Sequence, residues 1–89
     1  RMYFKNKNIA ENITINSKEI KIQKLKQNKI LKTSNFNTYW SKIKFYKFKN
    51  KSSLKIKQSQ NELEIATFLH SDLKEKLYLK IKKQLSFYN

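Results

Sequence analysis

The stretch "TFLHSDLKEKLYLKIKKQLS", Thr67 to Ser86, is the one part of this chain with mixed charge and regular apolar spacing. Ile65, Leu69, Leu73, Leu77, Ile81 and Leu85 recur at every fourth position, and Ala66 and Phe68 widen the stripe. This is the period of an amphipathic helix. Asn61 followed by Glu64 fits an N-cap with its reciprocal glutamate, and Glu62 and Glu64 suit the positive end of a helix dipole. Lys80, Lys82 and Lys83 suit the negative end, and Asp72 to Lys76 is an i,i+4 ion pair. The pattern predicts one long helix over about 62–85, roughly 36 Å at about 1.5 Å per residue. A strict four-residue spacing drifts by about 40° per step, so the stripe winds and reaches more than one neighbour. One competing reading breaks the helix at Ser71, with Asp72 and Glu75 in a second capping box. Another takes Leu77, Leu79 and Ile81 as a strand, against the flanking Lys and Glu.

Charge separates this segment from the rest. Residues 1–60 hold 16 basic and 2 acidic side chains, whereas 61–89 hold 5 and 4. Short alternations stand upstream: Ile13 and Ile15 around Thr14, Ile20 and Ile22 around Lys21, Ile43 and Phe45 around Lys44, Leu54 and Ile56 around Lys55. Each is a brief strand signal, fit to pair in a small sheet or to lie extended along a partner. "KNKNIAEN", "KQNKILKTSN" and "KNKSS" read as polar connectors. The expected architecture is therefore α+β: a long C-terminal helix preceded by short strands and extended basic segments.

At 89 residues the chain is one small domain at most, with a marginal core. Its ten Ile, nine Leu and six Phe exceed what a disordered chain carries, while a formal charge of +15 opposes compaction unless an anion neutralises it. With no Cys and one His, neither a disulfide framework nor a metal centre is expected, and no cofactor. No apolar run approaches the roughly 18 residues of a membrane span, and the first residues lack a signal-peptide apolar region, so a soluble or peripheral chain is expected. Gly and Pro are absent, leaving tight turns to the ten Asn. Twenty Lys against one Arg, with abundant Asn and Ile, fit a very AT-rich coding sequence. That points to an organelle, mitochondrion before plastid, or to a low-GC bacterium.

His70 has no nucleophile or metal partner in view, and helix ends and pairing account for Glu62, Glu64, Asp72 and Glu75, so no enzymatic activity is expected. The segment "NTYWSKIKFYKFKNKSSLKIK", Asn37 to Lys57, interleaves lysines with aromatics as backbone neutralisation and base stacking require. The candidate RNA-binding residues are Trp40, Lys42, Lys44, Lys47, Lys49, Lys51, Lys55 and Lys57. Lys21, Lys24, Lys26, Lys29 and Lys32 form a second stripe.

"LHSDLKEKLYLKIKKQLS", Leu69 to Ser86, resembles the helix that opens the KH domain in the small-subunit ribosomal protein three family. The likeness runs through Leu69, His70, Asp72, Leu73, Lys74, Tyr78 and Leu79, and Asn37, Thr38, Trp40 and Ser41 of "NFNTYWSKIKF" match a second segment loosely. It covers about 35–89 and leaves 1–34 as a basic N-terminal extension. The resemblance implies a structural constituent of an organellar small ribosomal subunit that binds rRNA. A glycine-free chain cannot supply the family's GxxG loop, so this would be an incomplete KH type II domain. A separate neighbouring chain would complete it against Leu69, Leu73, Leu77 and Ile81. The alternatives are a lineage-specific ribosomal protein, or a basic accessory subunit lying on the anionic lipid of a membrane-bound complex.

Overall fold

The computed structural model describes residues 1–88 as seven strands and one helix. In chain order these are β1 (Met2–Asn6), β2 (Ile9–Ile15), β3 (Glu19–Lys26), β4 (Lys29–Asn37), β5 (Lys42–Phe48), β6 (Lys51–Gln58), β7 (Asn61–Ile65) and α1 (Ser71–Leu85). β1 to β4 form one antiparallel sheet in chain order, and β5 to β7 form a second. The strands are thus full elements of five to nine residues, and the expected architecture dominated by a long helix is incorrect.

The four short alternations lie inside β2, β3, β5 and β6, and their inward residues build the core. Ile13 stands opposite Ile22, Ile20 opposite Phe36, Ile43 opposite Ile56, and Leu54 opposite Ile65. All of them are buried in one cluster that joins both sheets to Ile81 and Leu85 of the helix. Each such aliphatic side chain contributes about 1.5–3 kcal/mol by leaving water.

The "KNKNIAEN" and "KQNKILKTSN" segments are hairpins and not connectors. Lys7–Asn8 and Gln27–Asn28 are two-residue turns, closed by the pairs Asn6 with Ile9 and Lys26 with Lys29. Asn was expected to take the positive-φ positions. Instead Lys7, Gln27, Lys49, Ser59 and Ala66 lie at φ 51–55°, and Asn28 is the one Asn among them, at 66°. At all of these but Ala66, which follows β7, a tight hairpin turn demands positive φ whatever residue is present, and each site costs about 1 kcal/mol.

The predicted helix over 62–85 is overturned in its first half. Asn61 opens β7 opposite Gln58, and Glu62 and Glu64 face Lys57 and Lys55 across the ladder, so these glutamates serve a sheet and not a helix dipole. "NELEI" alternates polar and apolar at period two, a signal the longer four-residue stripe conceals. Ala66 in the left-handed region then turns the chain, and α1 starts at Ser71, where the competing reading broke it. No capping box forms there. The N-cap is His70, without a side-chain cap, and Ser71 Oγ is buried and without a hydrogen-bond partner.

α1 packs on β5 and β6 through Ile81, Leu85 and the stem of Lys74, whose Nζ donates to the Ser52 carbonyl at 3.0 Å. Tyr78 stacks on Phe45 with ring centroids 5.9 Å apart. Along the four-residue stripe burial falls stepwise, from buried Ile81 through half-buried Leu77 to Leu73 at 49% exposure. The drift of about 40° per step produces that gradient.

Candidate functional site

The lysines picked out in the sequence divide into three environments. Lys24 is turned inward, opposite Glu11. Its Nζ donates to the Glu64 carbonyl at 2.9 Å and lies 3.9 Å from Glu11 Oε2, while Glu11 Oε1 accepts the Ala66 N–H at 2.8 Å. Glu11 therefore ties β2 to the residue after β7, across the two sheets. Burial pushes its carboxyl above the usual carboxylate range, against the opposing pull of the Ala66 N–H and of Lys24. This lysine supports the fold. Lys21 lies on the outer face of the first sheet, between Thr14 and Asn35.

The second environment is the outer face of the three-stranded sheet. Lys42 lies opposite Lys57, and Lys44 opposite Lys55, with exposed Tyr46 and Phe48 on the same face. Lys47, Lys49 and Lys51 cluster at the β5–β6 turn, where Lys49 Nζ sits 5.4 Å from the centre of the Phe48 ring. β7 partly balances this charge: Glu62 and Glu64 stand beside β6, and Glu62 bridges Lys55 at 3.2 Å. At the entry to β5, Trp40 is 67% exposed.

The third environment was not singled out as a unit in the sequence. The β1–β2 and β3–β4 turns sit side by side, joined by the Gln27 N–H donating to the Asn8 carbonyl at 2.8 Å. They carry Lys5, Lys7, Lys26, Lys29 and Lys32, all exposed, and Lys26 stands directly opposite Lys29. Like charges so placed repel. No carboxylate bridges any of the five among the described residues. Among these lysines stand three exposed aliphatic side chains, Ile9 at 47%, Ile30 at 55% and Leu31 at 68%. The ladder shifts register between Lys24 and Leu25, so Lys32 and Ile30 find partners and Leu31 is left over. A bulge of this kind re-aims a side chain, and here it holds a leucine in the open. The missed signal was "KILK" itself, read as a polar connector for its lysines. Two adjacent large apolar residues at the start of a strand following a two-residue turn must place at least one outward, since side chains alternate.

The residues expected at a protein interface are spread out. Ile81 faces this chain's own sheet, Leu69 and Leu77 are half-buried, and Leu73 is exposed.

A protein-family model described as "Integral membrane protein (DUF2244)" matches residues 1–85. No curated protein and no solved structure matches the chain. The family match overturns the resemblance to the ribosomal protein three family, and with it the KH domain, the small subunit, rRNA and the neighbouring chain that was to complete the fold. It equally displaces the lineage-specific ribosomal reading and the expectation of a soluble or peripheral chain. A leucine–lysine helix matches such a pattern readily, because Leu and Lys at helical spacing are what any amphipathic helix needs. No helix among the described residues is long and apolar enough to cross a membrane.

Proposed function

The chain belongs to the DUF2244 family of integral membrane proteins, so its location is a membrane, and from that premise we propose that residues 1–88 form a part folded outside the bilayer. The β1–β2 and β3–β4 turns hold it against an anionic leaflet. One observation carries this reading: Ile9, Ile30 and Leu31 stand exposed at the end of the first sheet where five lysines gather and, among the described residues, no carboxylate bridges any of the five. In water such a group is unfavourable twice over, by exposed aliphatic surface and by like-charge repulsion. At a lipid surface both effects reverse. Each lysine near an anionic leaflet gains about 1 kcal/mol, and each aliphatic side chain that enters the acyl boundary gains up to about 1.5–3 kcal/mol.

The family match speaks for a membrane location of the chain itself and not for an accessory subunit of a membrane-bound complex. The role is one of binding and positioning, with no reaction assigned. The lysine-, asparagine- and isoleucine-rich composition fits a mitochondrial membrane or that of a low-GC bacterium.

Co-sedimentation of the 89-residue chain with vesicles tests the reading. Vesicles containing a third phosphatidylglycerol are expected to bind it, and pure phosphatidylcholine vesicles to leave it in solution. Leu31→Asp and the pair Lys26→Glu with Lys29→Glu should each reduce binding at least tenfold, while Lys47→Glu with Lys51→Glu should reduce it much less. Equal binding to neutral vesicles, or turn variants that bind as the parent does, would overturn it.

A further inference from the structure

The opposite end of β4 carries a second, separate arrangement. Between β4 and β5 the chain makes a turn whose flanks are pinned. Thr38 and Ser41 are buried; Thr38 Oγ1 donates to the Asn16 carbonyl at 2.8 Å and Ser41 Oγ to the Asn37 carbonyl at 2.5 Å. Asn37 Oδ1 accepts the Trp40 N–H at 3.1 Å, and the Asn37 N–H donates to Gln58 Oε1 at 2.7 Å. The two residues between these ties, Tyr39 and Trp40, are exposed and meet edge to face, ring centroids 4.8 Å apart. A turn tied so closely holds the indole in place and costs little ordering on binding.

Beside the indole is a cleft of about 240 Å³ lined by Trp40, Lys42, Lys44, Lys57 and Ser59. Its three lysines are exposed, and no carboxylate bridges any of them among the described residues. The reason for Lys57 is specific. Its cross-strand neighbour Glu62 reaches diagonally to Lys55 instead, at 3.2 Å. Lys42 and Lys57 are directly opposed across the β5–β6 ladder.

We infer that this cleft is a binding site for the phosphate group of a soluble phosphorylated molecule, held by Lys42, Lys44 and Lys57, with the part next to the phosphate resting on Trp40. Three lysines lining one cleft suit a multiply charged tetrahedral anion, and an exposed indole suits a less polar neighbour of that anion. The choice of a soluble source over a lipid headgroup rests on the membrane orientation proposed above. The cleft and the lipid-facing turns lie at opposite ends of β4, whose nine residues span about 30 Å at roughly 3.3 Å each, so a leaflet under the turns is out of reach.

Trp40 is the only tryptophan in the chain, so its fluorescence reports on this cleft alone. Inorganic pyrophosphate is titrated at constant ionic strength, and in parallel the chain is titrated with phosphatidic acid vesicles. A saturable change in emission with pyrophosphate is expected, weakened at least about tenfold in Lys42→Ala with Lys57→Ala, while vesicles leave the emission unshifted. Leu31→Asp should lose vesicle sedimentation and keep the pyrophosphate response, so failure of the membrane reading and failure of the site appear in different measurements. A response to pyrophosphate that is absent or linear, or one the double variant retains, overturns the site. A blue shift with vesicles overturns the soluble source and makes a lipid headgroup the occupant.

Discussion

At the scale of single residues, Glu11 is held from two sides. It is a buried carboxylate whose two oxygens serve the backbone N–H of the residue after β7 and a lysine of β3. Its carboxyl is raised, first by burial. A raised carboxyl binds its proton more tightly in the folded state than in the unfolded chain. Its contribution is therefore fully present below the ordinary carboxylate range, and is lost as pH rises through the raised value. The net charge of the chain pushes the other way, because acid makes an already cationic molecule more so. The two are separated by difference. Urea unfolding of the parent and of Glu11→Gln from pH 4 to 7 should show the variant gaining on the parent as pH rises, since Gln keeps an acceptor for Ala66 without the buried charge. Glu11→Ala, which removes that acceptor, should lose about 1–3 kcal/mol at any pH. A parent and Gln variant that stay parallel across the range would remove Glu11 from the pH dependence. None of this is legible in the sequence: Glu11 lies in "KNKNIAEN", a stretch with the composition of a connector, and its partners are Lys24 and the distant Ala66.

At the scale of elements, what can be read is set by how far apart the partners lie in sequence. β2, β3, β5 and β6 announce themselves through local alternation, because each presents one side to the core. β1 and β4 do not. β4 runs "KILKTSNFN", and its Phe36 is the one buried residue in nine, so its strand character comes from pairing with β3 and not from its own pattern. The false half of the long helix has the reverse cause. Ile65 and Leu69 fall on the four-residue stripe by coincidence, one ending a strand and the other in the turn before α1. Helical spacing over two points cannot be told from chance, and the period-two pattern of "NELEI" should have outweighed it. The structure gives the stripe a measurable consequence. Ile81→Ala should cost about 2–5 kcal/mol and Leu73→Ala less than about 0.5 kcal/mol, although both are large aliphatic positions of one stripe. Guanidinium unfolding of the two variants decides it. Equal losses would mean that Leu73 is covered and that the gradient of burial along α1 is wrong.

At the scale of the whole molecule, charge dominates, and it is the part of the site most visible in the sequence. The charge of +15 is spread over two small sheets with two ion pairs among the described residues. So much positive charge calls for an anionic partner, but lysine neutralises a phosphate in RNA and in lipid by the same physics, so composition could not choose between them. What chooses is the arrangement of apolar residues around the lysines, and that depends on a two-residue turn and a bulge. A body so charged is held below its best stability by its own field. Screening should relieve this. Raising NaCl from about 10 mM to about 300 mM shortens the Debye length from about 30 Å to less than about 8 Å, well inside the 33 Å extent of the molecule. The melting temperature should rise by several degrees over that range. Sulfate should raise it further at equal ionic strength, as a divalent anion occupying the lysine clusters. The opposed pair Lys26 and Lys29 should account for a visible share, so that Lys29→Gln starts higher at low salt and gains less from added NaCl. A melting temperature that falls with NaCl would mean that the ion pairs Glu11–Lys24 and Lys55–Glu62 outweigh the repulsion, and that the uncompensated lysines are not the strained feature that a lipid surface relieves.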